Sequence, residues 1–134
     1  MKRFLTLGLI LTLVLTITVG CSTTEEAKYT DGTYTAESEV DDRGYKSVIE
    51  IVVENGEITS VDYDEFNEEG ARKSEDEAYA ENMKGVSGVA PAEAYEQMEE
   101  ALIKRQNVDE VELVSGATSS AEMFKTLAKE ALNE

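Results

Sequence analysis

Five neighbouring residues, Ser115-Gly116-Ala117-Thr118-Ser119, narrow the chemistry available to this chain. They are small, carry three hydroxyls, and lie just before an apolar-periodic stretch that reads as a helix. Backbone N–H groups at a helix start, with Gly116 permitting close approach, suit a phosphate. Ser119 with Glu122 three residues on also fits a capping box. On these grounds alone the stretch is a candidate anion site, and an ordinary N-cap is the commoner outcome for such residues. A threonine hydroxyl is a weak nucleophile without an adjacent base, and neither His nor Lys is next to Thr118.

Other chemistry is excluded by absence. The chain has no His and no Trp. Lack of His removes the usual general base near neutral pH and the commonest metal ligand, so zinc sites and Ser-His-Asp triads are ruled out. Asp62, Asp64, Asn67, Glu68 and Glu69 have the composition of a calcium loop. The EF-hand spacing fails, because its sixth position needs Gly and here holds Asn67. A solvated acidic loop over Asp64–Glu77 is the better reading. Six tyrosines are numerous for this length. Tyr63 or Tyr79 would suit stacking on a flat ligand, yet each is equally a packing unit, and neither is assigned a site role.

The sole cysteine, Cys21, follows a positive start (Lys2, Arg3) and an apolar run from Phe4 to Val19. That run is shorter than the ~20 residues that span a bilayer, and its flanks match a secretory signal. Thr18-Val19-Gly20-Cys21 resembles the lipobox of bacterial lipoproteins, with Thr18 where an aliphatic is usual. The resemblance implies a signal peptide over 1–20, cleavage after Gly20, and acylation of Cys21, with two or three chains giving stable anchoring. The alternatives are an uncleaved anchor and an unmodified cysteine. With Cys21 acylated, no thiol remains for a disulfide or for catalysis.

The full chain of 134 residues carries 12 basic and 29 acidic side chains, net −17. Loss of Lys2 and Arg3 leaves 10 basic against 29 acidic, net −19. Such a surface repels nucleic acid and anionic head groups, so no nucleic-acid partner is expected and the domain should stand off the membrane.

These features need elements to position them. Residues 21–28 read as a polar, lipidated tether, and one domain follows over 29–134. Asp31-Gly32 reads as a turn and Thr33–Ala36 as a short strand. Asn55-Gly56 between the runs Val48–Val53 and Ile58–Tyr63 predicts a hairpin, since both central residues must accept positive φ. Ile49, Ile51 and Val53 then share the core face. Ser74 with Glu77 predicts a capped helix through Lys84 that stops at Gly85. Pro91 opens a second helix with the stripe Ala94, Met98, Leu102. Val111–Val114 reads as a late strand. A last helix runs over about Ser120–Leu132, with Phe124, Leu127, Ala128 and Ala131 inward. The fold class is α+β: an antiparallel sheet with an Asn-Gly hairpin, packed by helices in the C-terminal half.

Ser115-Gly116-Ala117-Thr118 also resembles the flavinylation motif of the FMN-binding domain family. That family includes subunits of sodium-pumping quinone oxidoreductases and of Rnf-type complexes, and extracellular electron-transfer lipoproteins, to which this chain is most similar. Asp31-Gly32-Thr33-Tyr34, the hairpin and the closing helix recur in that order, over about residues 30–133. The resemblance implies FMN esterified through its phosphate to Thr118 by an ApbE-type flavin transferase that uses FAD and magnesium, with Ser115, Gly116, Ala117 and Ser119 around it. Glu112 replaces the Asp often found six residues before the threonine. Asn67-Glu68-Glu69-Gly70 replaces a loop often written Glu-Thr-Pro-Gly, which lies over the flavin. The implied function is a membrane-anchored, extracytoplasmic electron carrier fed by a membrane quinol-oxidising donor, rather than an enzyme with its own substrate. The rival is a non-redox binding or surface-antigen lipoprotein that kept the fold without flavin.

Overall fold

The computed structural model describes residues 27–134; the signal segment and Cys21 lie outside them. Three antiparallel strands come first, β1 (Gly32–Val40), β2 (Lys46–Glu54) and β3 (Glu57–Phe66), in the order β1-β2-β3. Three helices follow: α1 (Glu77–Ser87), α2 (Pro91–Arg105) and α3 (Thr118–Leu132), with short 3₁₀ turns at Lys73–Glu75 and Val108–Glu110. This is the expected α+β architecture.

The hairpin forms as its sequence dictates. Asn55 and Gly56 both take positive φ, 55° and 77°, as the tight turn between twisted strands requires. A bulge follows where the pairing moves from Val52↔Ser60 to Val53↔Ile58. Alternation along β2 sends Ile49, Ile51 and Val53 to one face, and the extra residue of the bulge brings Ile58 onto the same face as Tyr63, each of the five at most 2% exposed. Helix α2 lies over β3 with Ala94, Met98 and Leu102, and α3 lies over β1 and β2 with Phe124, Leu127, Ala128 and Ala131. Each large apolar side chain so buried stabilises the fold by ~1.5–3 kcal/mol. The N-terminal end of the domain is tied in by Tyr29, whose N–H donates to the Gly56 carbonyl at 3.3 Å.

Several local expectations are corrected. Val111–Val114 forms no strand. The outward edge of β3 is already occupied by side chains of α2 and its cap. The Gln106 amide accepts from Ile58 N–H at 2.7 Å and donates to Ile58 C=O at 2.8 Å, and Glu99 accepts from Tyr63 N–H at 2.7 Å. No edge is left there for a further strand. Asp64–Glu77 is not a loop throughout: β3 runs to Phe66, and Asp64 and Glu65 are 2% and 3% exposed. The cap of α1 is Asp76, which accepts from Tyr79 N–H at 2.9 Å, and not Ser74. Gly85 sits inside α1, and the helix stops at Gly88, whose φ of 82° is left-handed.

Candidate functional site

Gly116 fixes where α3 starts. Its φ is +85°, and a Cβ there would lie 2.4 Å from the carbonyl oxygen of Ser87. Only glycine lets this loop rest on the end of α1. Ala117 then donates to Val114 C=O at 3.0 Å, and the first helical bond is Ala121 N–H to Ala117 C=O, also 3.0 Å. The backbone N–H groups of Thr118, Ser119 and Ser120 therefore precede the first helical bond, and no side chain caps them. The capping box expected from Ser119 and Glu122 does not form: Ala117 occupies the N-cap and the first turn holds no acidic residue.

These groups border a cavity of about 320 Å³, inside the ~300–1,000 Å³ range of small-molecule sites. Gly116, Ala117, Thr118, Ser119 and Ser120 form one wall. Met83, Val89, Ala90 and Pro91 supply an apolar wall, Tyr79 and Tyr95 an aromatic one, and Arg43 and Lys73 two cations. No Asp or Glu lines it, although the chain carries 29 of them. In so acidic a protein, a cavity with two cations, a helix N-terminus and no carboxylate selects for an anion.

The cations are held differently. Arg43, on the β1–β2 connection, bonds Asp41 through Nε and Nη2 at 3.0 and 2.9 Å and is 56% exposed. Lys73 is 3% exposed and pairs with the buried Glu65. Its ammonium lies 4.3 Å from the Tyr45 ring centroid and 4.8 Å from that of Tyr79, a favourable setting for a desolvated cation. The other oxygen of Glu65 accepts from Ser120 Oγ at 2.7 Å, which ties the first turn of α3 to β3. Burial, and then the nearby Glu65 charge, push the Tyr95 phenol well up, so it stays protonated. Tyr95 meets Tyr63 edge-on at 5.0 Å, and Tyr63 is a core residue at 1% exposure.

Of the residues singled out in the sequence, Gly116, Ala117, Thr118 and Ser119 come together on this wall. Ser115 faces a separate groove with Glu112, Gln97 and Arg105. The Asn67–Gly70 turn, closed by Asn67 accepting from Glu69 and Ala71 N–H at 3.0 and 2.9 Å, does not line the cavity. Arg43, Lys73, Glu65 and Ser120 were not legible as site residues, and Tyr79 was noted only as a ring with the right shape.

The FMN-binding domain model matches residues 44–133, which include the β2–β3 hairpin, all three helices and every cavity-lining residue except Arg43. The chain belongs to the FMN-binding domain family. A 15 kDa lipoprotein of Treponema pallidum (strain Nichols) is 34% identical over 100 residues, covering 74% of this chain and 71% of the relative. A Clostridium perfringens protein of known crystal structure is 48% identical with a TM-score of 0.75, over 78% of this chain and 87% of that one. The family's ligand fits the donor set described above: an anionic phosphate for the uncapped N–H groups and a flat ring for the apolar and aromatic walls. Among the described residues no helix is long and apolar enough to cross a membrane.

Proposed function

We propose that this chain is a lipid-anchored, extracytoplasmic flavoprotein that carries FMN as a phosphoester on Thr118 and relays electrons. The observation that carries the reading is the Thr118 hydroxyl at the rim of a carboxylate-free cavity, beside three backbone donors that no side chain caps. Bound FMN supplies reversible hydride and electron chemistry, and the protein supplies binding, orientation and electrostatics. The N–H groups of Thr118, Ser119 and Ser120 would hold the phosphate. Val89, Pro91 and Met83 would keep water from the ring, and Arg43 would offset the phosphate charge.

Attachment forms one P–O bond from Thr118 Oγ1 to the FMN phosphoryl of FAD, breaks the phosphoanhydride and releases AMP. The hydroxyl proton must leave, and the chain has no His to take it, while Glu65 is engaged by Lys73 and Ser120. An ApbE-type transferase with magnesium supplies that base. A phosphoester keeps the flavin from diffusing away outside the cell without using its redox-active ring. The donor in this reading is a membrane quinol-oxidising system, and the lipoprotein relative supports anchoring through Cys21.

Coexpression with the transferase and export should give a yellow domain whose colour survives denaturation, while Thr118→Ala releases all flavin on unfolding. Cys21→Ser should move the protein from the membrane to the soluble fraction. Wild-type protein that is colourless after coexpression contradicts the flavin reading; Cys21→Ser protein retained in washed membranes contradicts the lipid anchor.

A further inference from the structure

Reducing a flavin ring adds negative charge to it, so a fixed charge beside the ring shifts its reduction potential. The cavity contains one desolvated cation. Lys73 is 3% exposed and sits between the rings of Tyr45 and Tyr79. Its partner Glu65 is equally buried but is not part of the cavity wall. Lys73 thus belongs to the cavity wall, and its counter-charge stands one hydrogen bond behind that wall, accepting from Ser120 Oγ at 2.7 Å. Arg43 differs: it is 56% exposed and matched by Asp41. On the reading above, the exposed Thr118 would hold the phosphate, and the buried part of the wall, Lys73 included, would be left to take the ring.

We infer that Lys73 is the ring-facing cation of this site and holds the flavin's potential up, while Glu65 is the counter-charge that moderates it. The charge balance is simple. A quinol becoming a quinone gives up two electrons and two protons. The ring takes both electrons and one proton, the other proton goes to water, and one negative charge is added beside the ammonium.

Redox titration of the flavin-loaded domain tests this. Lys73→Met should lower the midpoint potential and Glu65→Gln should raise it, with the double variant between them. A purely structural role would move both single variants the same way, and that result, or no shift in either, overturns the inference. Lys73→Met leaves a buried carboxylate unpaired; if it does not fold, the double variant must still lie below Glu65→Gln. As a readout without redox chemistry, free FMN binding to Thr118→Ala protein should weaken roughly tenfold with Lys73→Met. A wild type that binds free FMN but is never modified contradicts the covalent reading alone, and the titration then runs on bound FMN. A wild type that binds no FMN in either form overturns both.

Discussion

The three helices of this domain start in three ways. Helix α1 is capped by Asp76, which accepts from Tyr79 N–H at 2.9 Å. Helix α2 starts with Pro91, and Glu93 reaches back to Ala90 N–H at 3.3 Å. Helix α3 has Ala117 at its cap and no acidic residue in its first turn. An uncapped start costs about 1 kcal/mol relative to Asp or Ser, and the chain has carboxylates in abundance to avoid it. At α1 a carboxylate caps a first-turn donor. At α2 no side chain caps the first turn, but Pro91 has no N–H to leave open and Glu93 holds the cap's own N–H. Helix α3 has neither device, and its open donors border the cavity. That difference separates a helix start that holds the fold together from one available to a ligand.

The comparison breaks most severely at Gly116. Gly116→Ala places a Cβ 2.4 Å from Ser87 C=O at a φ of +85°, a strain of ~1–3 kcal/mol. The melting midpoint should fall and flavin loading should be lost with it. Ala117→Asp should split the two properties. A carboxylate at this cap gains ~0.5–2 kcal/mol and places a negative charge at the proposed phosphate position, so the midpoint should rise while FMN loading falls. Equal loading in that variant would mean that the open helix start is incidental. Asp76→Ala is the counterpart at α1, with a loss of ~1 kcal/mol in denaturant unfolding and unchanged loading.

Glu93 gives the smallest effect, and it depends on pH. The Lys84 ammonium, and then the Ala90 N–H, hold its carboxyl below the ordinary glutamate value. A depressed folded value stabilises fully above the unfolded value of ~4.3 and fades as pH falls through the folded one. Glu93→Gln should therefore lower the midpoint slightly at pH 7 and converge on wild type as pH falls through the folded value. A difference that persists at low pH would show that the effect is packing and not charge.

What the sequence made legible follows from the range of each signal. Asn55-Gly56 is a two-residue rule, and Ala94, Met98 and Leu102 follow a one-helix rule; both hold. Thr118 was legible because its motif is contiguous. Lys73 and Arg43 were not, because they reach Thr118 only through the fold, and a lysine at 3% exposure is intelligible only beside Glu65, Tyr45 and Tyr79. Val111–Val114 misled because an apolar run reports burial, not pairing. Val111 is indeed 1% exposed, but its carbonyl accepts from Lys125 Nζ at 3.0 Å, and Leu113 is 51% exposed. At α1, a capping pattern at Ser74 competed with Asp76 two residues on, and the 3₁₀ turn Lys73–Glu75 puts Ser74 before the helix, where its hydroxyl bonds Asp64.

The central claim is that Thr118 carries the flavin. Peptide mass mapping of the exported domain, coexpressed with an ApbE-type transferase, tests it most directly. The peptide spanning residues 105–125 should be heavier by one FMN less one water, with the fragment ions assigning the adduct to Thr118. An unmodified peptide, or an adduct on Ser115, Ser119 or Ser120, would contradict it.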